Sequence, residues 1–261
     1  MDDDPINNDN LDIGAVGRKN NKVIQDNEGN DDSEINMFTL VDNRKIKMIL
    51  RLFPYLKNKD LGSKLLIDDE SIHYISIREY AEKISDIIKI HTDMLDISKY
   101  NVIITDTTAG VGGDSISFAK NFKHVHSIEI DKLRSGYLKN NFEIYECNNI
   151  TIYNDNCLNV VNKIEDHNVI FCDPPWGLDY KKYTNVKLSL GTEPIELLCN
   201  KLMDNTFMEK VPEIIVFKLP KNYDIVHFYK SLNNNNNIYY YDLKKMIILV
   251  IIVIKTKPLI N

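Results

Sequence analysis

"NVIITDTTAGVGGDSISFA", residues 101 to 119, decides the fold. Four β-branched residues, Val102 to Thr105, run into Asp106, a glycine-rich turn follows, and a helix-like segment opens near Asp114. Gly110, Gly112 and Gly113 let the backbone turn tightly there and approach a ligand at the start of a helix. A glycine turn between strand and helix is also a common structural device, so this unit alone leaves ligand binding open.

Downstream, short β-branched runs alternate with helix-like segments, the texture of a βαβ sheet. The strands expected after the first are "HVHSIEI" (124–130), "ITIYN" (150–154), "NVIFCD" (168–173), "EIIVFKL" (213–219), "IYYYDL" (238–243) and "MIILVIIVIK" (246–255). Only Lys244 and Lys245 separate the last two, too few residues for a parallel crossover, so they form an antiparallel hairpin. The expectation is an α/β, Rossmann-like domain over 98–261, with a seven-stranded, mostly parallel sheet that ends in that hairpin.

Upstream, 37–97 reads as a helical extension. "RKIKMILRLFPYL" puts Ile46, Ile49, Leu50 and Phe53 on one stripe, and "SIREYAEKISDIIKI" puts Ile77, Tyr80, Ala81, Ile84, Ile87 and Ile88 on another. Ser76 and Glu79 stand in capping-box spacing. Residues 1–36 hold ten acids against Arg18, Lys19 and Lys22, a charge of −7 out of the chain's −6. With few large apolar residues they are expected to form a disordered acidic tail. The rest of the chain carries +1, so an anionic partner for the folded body is not excluded.

The four cysteines are dispersed and read as reduced core thiols. His124 and His126 share a strand face, but nothing at the usual spacing completes a metal site. "MIILVIIVI" is nine residues long, against the roughly 20 a membrane helix needs. A soluble intracellular protein without metal or membrane partner is expected.

Glu129 ends the second strand nineteen positions after Gly110, where dinucleotide-type folds place an acid that grips ribose hydroxyls. Asp155, after the third strand, can accept from an adenine amino group. These positions share the carboxyl edge of neighbouring strands and outline an adenosine site. A nicotinamide fingerprint is broken, because Ser115 occupies its third glycine position.

The fourth strand ends in "FCDPPWGLDY", residues 171 to 180, with the chain's only Trp. The amino nitrogen of a nucleobase is a poor nucleophile, because its lone pair is conjugated into the ring. Acceptors aimed at its N–H groups orient it. Asp173 offers a carboxylate and Pro174 a carbonyl, on a backbone that two prolines stiffen without adding an N–H. Trp176 offers a flat face on which a base stacks. The plain alternative is a proline turn with a buried indole.

The chain from about Arg51 to Lys255 resembles the trimethylguanosine synthase family, cap-specific guanine-N2 methyltransferases of class I. "DTTAGVGGDSISFA", "SIEIDKLRSGYLKNNFEIY", "PPWGLDY" and "LPKNYDI" carry the likeness, and "RLF" with "SKLLIDDESIHYIS" resembles the family's helical extension beside the cap pocket. The resemblance implies S-adenosylmethionine as cofactor, with Asp106, Thr108, Ala109, Gly110, Gly112, Glu129, Asp155, Asn156 and Ser76 around it. It implies a 7-methylguanosine cap, as capped RNA or free nucleotide, held by Trp176, Tyr180, Lys182, Lys221 and Lys64, with Asp173, Pro174 and Trp176 at the reacting amine. Four departures stand out: the segment after Gly177 is one residue shorter, Lys221 replaces an Arg, Asp173 replaces the Ser of some members, and Thr108 stands where the family often has Cys. Methylation of an amino group on tRNA, rRNA or adenine, and a catalytically silent RNA-binding module, remain open as other readings.

Overall fold

The computed structural model describes residues 43–233 and 236–254, so the expected tail at 1–36 lies outside the described residues. Four helices come first or early: α1 (Asn43–Leu52), the single turn α2 (Ser71–Tyr74), α3 (Arg78–Met94) and, after the first strand, α4 (Gly113–Asn121). Then follow α5 (Lys132–Ile144), α6 (Cys157–Val160), α7 (Ile195–Leu202) and α8 (Ile225–Ser231). The main sheet holds β1 (Ile103–Asp106), β2 (His124–Ile128), β3 (Ile150–Tyr153), β4 (Val169–Cys172), β7 (Ile214–Pro220), β8 (Asn237–Asp242) and β9 (Met246–Ile252). A two-stranded hairpin, β5 (Ser189–Leu190) with β6 (Glu193–Pro194), turns at Gly191 with φ +61° and was not expected from the sequence.

The strand order is β3-β2-β1-β4-β7-β9-β8. The first five of these pair in parallel, and β9 runs antiparallel to both neighbours, β7 and β8. The chain moves outward from β1 to β3, then returns to the other side of β1 with β4. Between β1 and β4 the winding reverses, and open α/β sheets hold ligands in that crevice, beyond the carboxyl ends of the strands.

Period-two alternation splits the strands cleanly between two layers. Ile104, Val125, Val169, Phe171, Val216 and Ile248 face one layer with Phe53 just after α1 and with Ile84, Ile88, Phe118 and Phe142 from α3, α4 and α5. Ile170, Cys172, Ile215, Phe217 and Leu249 face the other with Ile195, Leu198, Leu202 and Phe228 from α7 and α8. Each large apolar side chain fully buried in this way contributes about 1.5–3 kcal/mol. Of the second stripe read from the sequence, Tyr80, Ala81, Ile84, Ile87 and Ile88 are buried and Ile77 half-buried; of the first, Ile49 and Phe53 are buried, and Ile46 and Leu50 half-buried.

One local reading is corrected. No capping box forms, because Ile77 is the residue before α3 and Ser76 turns its hydroxyl away, to donate to Asp114 Oδ2 at 2.7 Å. Glu79 pairs instead with Lys83, one turn along. The Ser76 contact helps tie the helical segment to the sheet. Asn141 on α5, fully buried, does more of this: it accepts from Leu66 N–H at 2.8 Å and donates to the carbonyls of Leu66 at 2.8 Å and Val111 at 2.9 Å. Arg134 on α5 pairs with Asp68 at 3.3 Å and with Glu70. Burial raises the Asp68 carboxyl, but hydrogen bonds from Ser71 and the Arg134 guanidinium overturn that and hold it at about 2.

Asn141→Ala would strand the polar groups of Leu66 and Val111 in the interior. A loss of about 2–4 kcal/mol of stability is expected, read as a lower urea midpoint with an unchanged slope. An unmoved midpoint would remove the clamp role.

Candidate functional site

The alternation that builds the core also builds a row of charge. Asp106 ends β1, Asp173 follows β4 and Lys218 lies near the end of β7, all on the face shared by Ile104, Phe171 and Val216. The β4–β7 register pairs Phe171 with Val216 and Cys172 with Phe217, so its next step sets Asp173 opposite Lys218. The Lys218 ammonium donates to Asp173 Oδ2 and stands 3.8 Å from Asp114 Oδ2 at the start of α4. Its side chain is 3% exposed and that of Asp173 is 19% exposed. Asp106 accepts from Ser115 Oγ at 2.6 Å and from the Thr108 N–H at 3.2 Å.

Three carboxylates and one ammonium in this space perturb one another. Burial pushes Asp106 up to about 7, against the pull of the Ser115 hydrogen bond and with a further push from Asp114. Burial pushes Asp173 up to about 6, although the Lys218 charge draws it back. Burial pulls Lys218 down, yet Asp173, Asp114 and Asp106 outweigh that, and the ammonium is held above its ordinary range.

The glycine turn lies next to this row. Gly110 has φ +53°, and a Cβ built on it would meet no atom within 4 Å, so the turn faces open space. Gly112 differs: at φ +104°, a Cβ would press on Leu138 at 2.9 Å. Gly113 is closed by Ile75 of the helical segment. Glu129, just beyond β2, accepts from the Gly110 N–H and the Asp131 N–H at 2.8 Å each. Ala109 donates its N–H to the Ile128 carbonyl. Past β3, Asp155 is exposed and accepts from the Asn156 N–H, and Asn156 caps α6 through the Leu158 N–H. An open glycine cradle flanked by carboxylates that can accept from hydroxyl and amino groups fits S-adenosylmethionine.

Thr108 joins the two halves of the crevice, since its Oγ1 accepts from the Asp173 N–H at 2.9 Å. Pro174 is buried, Pro175 is exposed, and Trp176 is half-buried, packed against both core layers. The Trp176 indole N–H makes no hydrogen bond of good geometry, though it lies near enough to Asp173 to favour its charged form. Tyr180 meets the indole edge-on at 5.2 Å between ring centroids, and the Lys218 ammonium lies over the indole at 5.7 Å.

The three lysines expected at phosphates sit in different places. Lys182 pairs with Asp179 at 2.7 Å and Lys221 with Asp242 at 2.9 Å, both exposed to solvent. Asn222 brings their loops together by donating to the carbonyls of Tyr180 at 2.8 Å and Tyr183 at 2.6 Å. Lys64 belongs to the helical segment, where its carbonyl accepts from Asn140 on α5. A groove of about 670 Å³ between the end of α5 and β3, lined by Phe142, Cys147 and Ile152, contains none of the site residues named here.

Sequence reading missed Lys218, Asp114, Asn222 and Asn141. The signal for Lys218 was present: a lysine inside "IIVFKLP", a run that must be buried on both faces, has to find a charge partner. Among the described residues, no group of three His, Cys, Asp or Glu is placed to hold a metal ion, and His124 and His126 bond instead to Thr151 and Asp166. No described helix is long and apolar enough to cross a membrane.

Residues 101–252 match the model of a family described as RNA cap guanine-N2 methyltransferase. The chain is 34% identical over 200 residues to an uncharacterized protein of Acanthamoeba polyphaga mimivirus, an alignment covering 69% of this chain and 76% of that one. It is 35% identical over 81 residues to the trimethylguanosine synthase of Schizosaccharomyces pombe, covering 29% of this chain and 34% of the yeast protein. Two solved structures share the fold. Precorrin-6y C5,15-methyltransferase from Geobacter metallireducens GS-15 aligns with TM-score 0.50 at 10% identity, over 77% of this chain and 97% of its own. A Porphyromonas gingivalis W83 protein assigned to the methyltransferases aligns with TM-score 0.53 at 14% identity, over 76% of this chain and 46% of its own.

The raised Asp106 carboxyl has a consequence for stability. A folded pKa near 7, above the unfolded value, gives a contribution that is full below about pH 4 and lost as pH rises through 7. Asp106→Asn removes that titration, so its Tm advantage over the native chain should widen by about 3 °C or more between pH 5 and pH 8. Scanning calorimetry at the two pH values checks it, and a constant difference would contradict the assignment.

Proposed function

The chain belongs to the RNA cap guanine-N2 methyltransferase family, and we propose that it methylates the exocyclic N2 of 7-methylguanosine caps. It is an S-adenosylmethionine-dependent methyltransferase. The cofactor, when bound, supplies a methyl group already activated on a sulfonium.

The protein's own part is binding and orientation. Glu129 and Asp155 hold the nucleoside end of the cofactor, and the turn at Ala109, Gly110 and Gly112 gives it backbone access, with Asp106, Thr108, Asn156 and Ser76 completing the surround. Asp173 accepts one N–H of the substrate amine and the Pro174 carbonyl accepts the other. With Asp173 held near 6, its carboxylate form prevails at neutral pH, and that is the form that accepts. Holding the amine in line with the methyl group can supply roughly 7 to 11 kcal/mol of the barrier.

The observation that carries this reading is the Thr108–Asp173 hydrogen bond, because it fixes the cofactor turn and the D-P-P-W segment as one unit with a half-exposed indole beside them. A guanine methylated at N7 is a cation, and stacking on Trp176 gains about 2 kcal/mol when desolvated, which an unmethylated guanine lacks. Tyr180 supports the indole edge. The surface pairs of Lys182 and Lys221 are exposed, so both lysines can exchange their carboxylates for the cap phosphates, with Lys64 of the helical segment as the third lysine of this reading.

Mass spectrometry after incubation with S-adenosylmethionine should show one or two methyl groups added to m7GTP and none to GTP. Methylation confined to structured RNA or DNA would sink the cap assignment. Trp176→Ala should lose m7GTP binding in calorimetry while its affinity for S-adenosylmethionine stays intact.

A further inference from the structure

Among the described residues, Lys218 is the one buried lysine, and it lies in the middle of a sheet. Taking an ammonium out of water costs several kcal/mol before any pairing, so an apolar residue would be the cheaper occupant of this position. What distinguishes the position is its reach. The same ammonium donates to the Asp173 carboxylate and lies over the Trp176 ring, so it touches both functional halves of the D-P-P-W segment.

We propose that Lys218 is a positioning residue of the acceptor pocket: its charge keeps Asp173 ionised and fixed in orientation while its ammonium braces Trp176. The charges around Asp173 show why a cation is needed. Asp106 on β1 and Asp114 on α4 face it, Cys172 precedes it on β4, and Lys218 on β7 is the cation set against them. Without Lys218, burial and two neighbouring carboxylates would drive a proton onto Asp173. A protonated carboxyl presents an O–H where the substrate amine requires an acceptor, so the pocket would fill with the wrong hydrogen-bond polarity. The catalytic arm of this inference rests on the cap-methyltransferase reading. Its spectroscopic arm does not.

Trp176 is the chain's sole tryptophan, so indole emission reports on this pocket alone. In the native protein, emission should show a transition near pH 6 as Asp173 titrates. In Lys218→Met that transition should move up by about 1–3 pH units, as expected when a close opposite charge is removed. The acidic limb of m7GTP methylation should move in the same direction, kcat at pH 7 should fall by about 100-fold, and cofactor affinity should stay within roughly threefold. Asp173→Asn should erase the component near pH 6 and leave any component near pH 7 from Asp106, and Lys218→Arg should keep the pH 6 component near its native position. A merely structural lysine predicts a lower Tm with the transition unmoved, and that result overturns the proposal. Should Lys218→Met not fold, a component near pH 6 that survives Asp173→Asn overturns it, whereas loss of that component there together with its retention in Lys218→Arg supports it. If the native protein leaves m7GTP unmethylated, the substrate reading fails while the emission data still decide the role of Lys218.

Discussion

The site depends on an ion pair in a place where ion pairs are expensive. Lys218 and Asp173 meet at the carboxyl edge of the central strands, with Asp114 and Asp106 behind them. A buried pair of this kind adds little net stability, because desolvation consumes most of the attraction. Its value is geometric. The pair locks the end of β7 to the loop after β4, and the Thr108 hydroxyl locks that loop to the loop after β1. Three strands that are parallel neighbours thereby share one rigid edge, as the proposed placement of an amine in line with a methyl donor requires.

The helical segment belongs to the same construction. It packs into the same core layer as β1, β4 and β7 through Phe53, Ile84 and Ile88, and Asn141, Arg134 and Ser76 fasten it polar group by polar group. Ile75 closes over Gly113, so the segment touches the glycine turn directly. A change in this segment would therefore reach the glycine turn without crossing solvent.

Much of this was legible in the sequence because period-two alternation and glycine chemistry are local. The seven strands, the antiparallel end, the stripes of α3 and the D-P-P-W segment all announce themselves within windows of ten residues or so. Lys218 did not, since its meaning depends on register: only when Phe171 aligns with Val216 does a lysine on β7 face an aspartate after β4. Asn141 and Asn222 were hidden for the same reason, as their partners lie 75 and about 40 residues away. Ser76 was misread because the local rule for helix caps is weaker than a buried carboxylate 38 residues downstream.

The position of β9 bears on how the chain is made. It follows the other strands of the sheet in chain order, every one of its seven residues is buried, and it inserts between β7 and β8. Until it is translated, β7 keeps an unpaired edge, and β9 itself is a β-prone, uncharged ribbon of the sort that seeds aggregates. The sheet therefore closes only once β9 has been made, and a nascent chain stalled short of residue 246 exposes an apolar slot that chaperones would have to shield.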